Sequence, residues 1–186
     1  MPAGRRARPA GSAPTEVDAD PAAVARAIAL KQLTAGPRTR TQLAAAMRRR
    51  GVPDDVAQSV LDRFEDVALV DDQEFARQWV TTRHTGRGLA RRALSYELRQ
   101  RGVADDLVKD AVDELTRDDE LAAARALVRR RAPSMRADDP ARRTRRLAGM
   151  LARKGYSGAL AMQAIQAELG ESADGLTEAD TDTDLD

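Results

Sequence analysis

A threefold internal repeat constrains this chain more than any other feature. Three segments align on a glycine: LAAAMRRRGVPDDVAQSVLDRF from Leu43, LSYELRQRGVADDLVKDAVDEL from Leu94, and LAGMLARKGYSGALAMQAIQAEL from Leu147. The glycines, Gly51, Gly102 and Gly155, stand 51 and then 53 residues apart. Leu43, Leu94 and Leu147 lie eight residues before them, and Met47, Leu98 and Leu151 four before. Val56, Leu107 and Leu160 lie five after, and Leu61, Val112 and Ile165 ten after. Apolar residues four apart share a helix face. Arg50, Arg101 or Lys154 directly precedes the glycine, where a cation complements the helix dipole, and the glycine supplies the left-handed conformation that ends the helix. A second helix is expected to follow, with Asp54 or Asp55, Asp105 or Asp106, and Ser157 as candidate caps.

Each pair is preceded by one more helical stretch: AVARAIALKQL, DDQEFARQWVTTR or DDELAAARALVRRR. Asp71 and Glu74 have capping-box spacing, and Asp139-Pro140 reads as an N-cap followed by a first-turn proline. No segment alternates with period two over a strand's length. The expected fold is all-α: a tandem, elongated or curved array of three three-helix repeats with disordered termini. The boundaries fall at 21–69, 70–117 and 118–170. Residues 1–20, rich in Pro, Gly and Ala, and the acidic residues 171–186 read as disordered tails. Aromatic residues make up only 3% of the chain, so several small cores built from Ala, Leu and Val suit it better than one large core. Stacked units of this size share burial that none achieves alone.

Composition narrows the function. The absence of cysteine excludes disulfides and thiolate metal sites. No apolar run approaches the ~20 residues of a membrane span, and no apolar stretch follows the N-terminal arginines as a signal peptide requires, so a cytoplasmic location is expected. The net charge of +1 conceals an asymmetry. Residues 1–20 balance and residues 171–186 carry seven carboxylates and no cation, which leaves the body between them at +8. Such a body suits an anionic partner: nucleic acid, or a protein bound to it. Only Lys31, Lys109 and Lys154 are lysines among 31 basic residues, a preference that GC-rich coding would also produce.

No phosphate loop, dinucleotide fingerprint or metalloprotease helix is present, and no enzyme, cofactor, metal or small-molecule substrate is expected. The one histidine, His84, reads as a surface residue at a helix end. The doublets Asp71-Asp72, Asp54-Asp55, Asp105-Asp106 and Asp118-Asp119 read as helix caps rather than metal ligands. The arginines carry more information. Arg92 and Arg99 share an outward face of their helix, and Arg142, Arg145, Arg146 and Arg153 share another. Arg129 and Arg130 lie just upstream with Arg131, and Arg48 and Arg49 hold equivalent ground in the first repeat. Together these arginines are the candidate contacts for a partner or for DNA.

The stretch LVDDQEFARQWVTTRHTGRGLARRALSYELRQRGV resembles the central signature of RecX regulatory proteins. The matching residues are Val70-Asp71-Asp72, Phe75-Ala76, Arg83, Gly86 or Gly88, and Leu94 through Leu98 to Gly102. Leu43 to Gly51 upstream and Leu147 to Leu169 downstream agree with it, so the resemblance covers residues 22–170. The helix AVARAIALKQL departs from the family's opening by lacking an aromatic residue. The resemblance implies tandem three-helix repeats that bind RecA along the groove of its filament on single-stranded DNA. It also implies inhibition of RecA's ATPase and strand exchange, with recombination and the SOS response restrained. The alternative reading is a helical-repeat protein that binds DNA directly, although aromatic residues for stacking on single strands are few.

Overall fold

The computed structural model describes residues 20–177, all of them helix or connection, with no strand among them. Residues 1–19 and 178–186, most of the two segments read as disordered, lie outside the described residues. The first unit holds α1 (Pro21–Thr34), α2 (Arg40–Arg48) and α3 (Asp54–Asp66). The second holds α4 (Asp72–Arg87), α5 (Arg91–Arg99) and α6 (Asp105–Asp113). The third holds α7 (Arg117–Arg131), a short 3₁₀ turn (Ala132–Met135), α8 (Pro140–Arg153) and α9 (Gly158–Thr177). Residues 171–177, read from the sequence as the start of a disordered tail, continue α9 instead: ESADGLT contains no proline, and Glu171, Ala173 and Leu176 are helix formers that offset Gly175.

Each unit buries its own core. Leu43, Met47, Leu61 and Phe64 meet in the first, and Phe75, Leu94, Leu98 and Val108 in the second. Leu147, Leu151, Tyr156 and Ile165 meet in the third, together with Ala90 from the second unit. The helix pairs with extensive contact all lie within a unit, so the seams between units are narrow.

The glycine column makes those seams. Gly51, Gly102 and Gly155 all adopt the left-handed conformation expected at helix ends, with φ of 77°, 76° and 90°. The turn at Gly102 rests on the start of α2 in the unit before it: the Thr39 hydroxyl donates to the Arg101 carbonyl (2.6 Å) and the Thr41 hydroxyl to the Gly102 carbonyl (2.9 Å). Thr39 is fully buried and also accepts the Gln42 N–H, closing a capping box. The turn at Gly155 rests on the start of α5 in the same way. There the Ala90 N–H donates to the Lys154 carbonyl (2.9 Å), the Tyr156 hydroxyl to Gly88 O (3.1 Å), and Lys154 Nζ to Arg87 O (2.5 Å). Contact is too close for a side chain: a Cβ on Gly102 would lie 2.4 Å from Thr41 Cγ2, and one on Gly155 would lie 2.5 Å from Ala93 N. Gly51, in the first unit, has open space before it.

The third unit differs at its other end. Helices α2 and α5 begin three residues before Leu43 and Leu94, whereas α8 begins seven before Leu147. In the additional turn, opened by Asp139 accepting the Arg142 N–H with Pro140 first in the helix, the N–H of Arg143, the counterpart of Ala90, is already bonded to the Asp139 carbonyl (2.9 Å). Asp54 and Asp105 do not cap their helices as expected. Pro53 and Ala104 take the cap positions without side-chain bonds, and the two aspartates face back to arginines on the preceding helix. Ser157 does cap, accepting the Leu160 N–H at 3.3 Å.

Replacing Gly51 by alanine should cost only the left-handed backbone, about 1–2 kcal/mol. Gly155→Ala has the same backbone cost and additionally drives a methyl into the α5 backbone, so it should lose at least ~1 kcal/mol more. Urea unfolding of the two variants measures the difference.

Candidate partner interface

The signature residues build the seam and the second core rather than an outer surface. Asp71 Oδ1 accepts the Glu74 N–H (2.8 Å) and caps α4. Its neighbour Asp72 reaches across the seam, where its Oδ1 accepts the Arg40 N–H (2.8 Å) at the start of α2. The capping assignment therefore holds for the Asp71-Asp72 doublet, but the second carboxylate caps another unit's helix. Burial pushes the Asp72 carboxyl above its usual range, against the lowering effect of that hydrogen bond. Phe75 and Ala76 are buried beside Leu94 and Leu98. Phe75 stacks on Trp79 at 5.7 Å, and the guanidiniums of Arg83 and Arg101 lie over the Trp79 ring at 4.2 and 3.6 Å. Trp79 Nε1 donates to Glu97, which also faces Arg83 and Arg87.

His84 is buried, not on the surface as the sequence suggested. Its Nδ1 lies 2.9 Å from the Leu89 carbonyl and pins the loop between α4 and α5. A helix-end position did not reveal burial because the adjoining loop, Gly88–Ala90, is itself covered by the third unit. Gly88, in the left-handed conformation, packs against Leu127 there.

All ten candidate arginines are exposed, but they do not form one uniform stripe. Arg48 pairs with Asp54 (3.2 Å), and Arg99, its counterpart 51 residues on, pairs with Asp105 (2.6 Å). Such exposed pairs contribute at most ~1 kcal/mol, so the arginines remain exchangeable, yet their charge is locally balanced. Arg49 and Arg92 have no carboxylate at ion-pair distance among the described residues. The run Arg129-Arg130-Arg131, grouped together in the sequence, splays apart, since successive helical residues point about 100° apart. Arg129 grips Glu168 (2.8 Å) against α9, and Arg130 lines the seam beside His84 and Arg87. Arg131 turns toward α8. There it joins Arg145, Arg146 and Arg153 around a concavity of about 330 Å³ whose floor includes Gly149, so the helix backbone lies close to any occupant. Arg146 is held by Asp138 (2.5 Å) and Arg142 approaches the same carboxylate at 3.9 Å, outside the concavity. Arg131, Arg145 and Arg153 have no acidic partner among the described residues.

At the second seam, Arg87 escaped the sequence reading. Lys154 was assigned to the helix dipole, but burial and the nearby Arg87 and Arg130 hold its pKa below the usual lysine range. The pairing of a helix-terminal lysine with Arg87, distant in sequence, follows only from the seam.

Three family models match in chain order: "RecX, first three-helix domain" at residues 25–64, "RecX, second three-helix domain" at 71–112, and "RecX, third three-helix domain" at 118–165. The chain belongs to the RecX family. It is 55% identical over 166 residues to the regulatory protein RecX of Thermobifida fusca, covering 89% of this chain and 88% of that one. It is 50% identical over 155 residues to that of Streptomyces coelicolor, covering 83% and 82%. The crystal structure of RecX from Lactobacillus salivarius superposes with a TM-score of 0.74 at 21% identity, over 81% of this chain and 97% of that one. A second RecX crystal structure gives 0.71 at 23%, over 81% and 73%. The RecX helical repeat is thus shared at sequence identities of 21% and 23%. No helix among the described residues is long and apolar enough to cross a membrane.

Asp72 yields a pH prediction. Its folded pKa is raised, so as pH climbs past the ordinary carboxylate range the unfolded chain releases its proton first and the folded state loses stability. Asp72→Asn keeps an oxygen for the Arg40 N–H and cannot ionise. The variant should match or exceed the parent's melting temperature at pH 7 and lose that advantage near pH 3. A variant markedly less stable at pH 7 would mean the charge itself holds the seam.

Proposed function

We propose that this RecX protein binds the RecA filament on single-stranded DNA and restrains its ATPase and recombinase activities. In this reading it limits recombinational repair and the SOS response, acting in the cytoplasm as a regulator without catalysis or cofactor. Family membership supports the partner class. The observation that carries the contact is the third-unit concavity, where Arg131, Arg145 and Arg153 face outward without internal carboxylates. A groove of this kind suits the phosphates of a filament or an acidic protein face. Arg48, Arg49, Arg92 and Arg99 would add weaker contacts from the other units, and repetition along a helical filament would convert them into avidity. The absence of a convergent acid, base and nucleophile in the sequence supports a non-enzymatic role.

The deciding experiment titrates this protein into the single-stranded-DNA-dependent ATPase of the cognate RecA. Inhibition is expected well below one protein per RecA, as filament action requires. Arg145→Glu with Arg153→Glu should weaken inhibition by an order of magnitude or more, on the basis of ~1 kcal/mol or more for each contact to a charged group. It should also flatten the salt dependence. No inhibition at several-fold excess of folded protein would sink the proposal and favour direct DNA binding.

A further inference from the structure

A second cavity of the third unit, about 570 Å³ and sharing no lining residue with the α8 concavity, opens between α7, the 3₁₀ turn, α8 and α9. Its polar walls are Arg129, Arg136, Arg143 and Glu168, and its apolar walls include Pro133 and Leu169. The single carboxylate is already committed. Glu168 is nearly buried and is held by Arg125 Nε (2.7 Å) and by Arg129 Nε and Nη2 (2.8 Å each). These guanidiniums keep its carboxyl below the usual range. Arg136 and Arg143 therefore face the cavity with no carboxylate at ion-pair distance among the described residues. Arg143 Nε is shielded from solvent and has no hydrogen-bond partner. A buried guanidinium N–H without an acceptor is costly, and a cavity with two uncompensated guanidiniums beside a leucine and a proline favours an acidic, partly apolar occupant.

We infer that this cavity receives the chain's own acidic segment, residues 178–186. The segment reads EADTDTDLD: Glu178, Asp180, Asp182, Asp184 and Asp186 supply five carboxylates, Leu185 an apolar side chain, and there is no cation. Charge and mixed character both match the walls. Reach permits the contact. Leu169 lines the cavity, and the eight helical residues from there to Thr177 rise ~12 Å. Nine extended residues span up to ~30 Å. Bound there, the segment meets the guanidiniums of Arg136 and Arg143 and lowers the positive field of the third unit, so it acts as a built-in competitor for any anionic partner of that unit. The inference concerns the isolated chain and does not rest on the identity of the partner.

The chain contains no cysteine, so Thr183→Cys gives one attachment point for a nitroxide on the full-length protein. Amide signals of Ala132, Arg136, Arg143 and Leu169 should broaden, and those of Leu43 and Leu61 in the first unit should not. The broadening should disappear in about 1 M salt, where the Debye length falls to ~3 Å. It should also disappear when Asp180, Asp182, Asp184 and Asp186 are all changed to Asn, a variant that leaves the helical body untouched, and in Arg136→Glu with Arg143→Glu. Absence of broadening, or broadening that survives neutralisation of the segment, would overturn the inference. So would broadening found only when labelled and unlabelled chains are mixed, which would place the contact between molecules.

Discussion

The array depends on one packing event made twice: a left-handed glycine turn set against the first residues of the preceding unit's middle helix. No Cβ fits at either place, and the carbonyls just before or at the glycine accept hydrogen bonds from the helix start they cover. The glycine turn contributes orphan carbonyls, which the Thr39 and Thr41 hydroxyls satisfy in the first seam and the Ala90 N–H in the second. The seams are small, and Tyr156 and Thr39 are buried in them because their hydroxyls find backbone carbonyls there. The Tyr156 phenol, pushed up to about 12 by burial and by Glu120, stays a hydrogen-bond donor across the physiological range.

This arrangement separates two classes of residue that look alike in the sequence. The most recognisable positions, Asp71, Asp72, Phe75, Ala76, Arg83, Leu94, Leu98 and Gly102, are occupied with caps, core and seam. Arginines capable of external contact lie elsewhere and are unevenly distributed. In the first two units the same register places Asp54 and Asp105 against Arg48 and Arg99, whereas the corresponding positions in the third unit are Ala152 and Gly158. The third unit therefore carries its positive charge with less internal compensation.

Much of the fold was legible because it is written as repetition. Glycine spacing, the apolar residues four and eight before it, and the basic residue directly before it locate six of the nine helices among the described residues. Asp139-Pro140 marks where one of the six, α8, begins, and the Asp71–Glu74 spacing locates the start of a seventh, α4. What escaped was whatever depends on one unit touching the next. The burial of His84, the reach of Asp72 to α2 and the crowding of Lys154 by Arg87 and Arg130 arise from residues far apart in the chain, and no local period encodes them. The arginine run at 129–131 misled for a different reason. Adjacent letters on a helix diverge in space, so a dense charge run is three separate positions rather than one patch. The Asp54 and Asp105 caps misled because proline and alanine can occupy a cap position when the aspartate has a guanidinium to meet instead.

The additional turn of α8 bears on how such a chain could lengthen. A duplicated unit appended after the third would meet helix backbone where its glycine turn needs an open N-terminus, and it would have nothing to dock on. The first unit presents the opposite situation, since Gly51 already has the required conformation and, among the described residues, nothing within 4 Å of where a Cβ would stand. Growth by duplication is therefore directional in this architecture. New repeats can be accommodated ahead of α1 with few changes, whereas extension at the other end requires deleting the turn from Pro140 to Arg143 first.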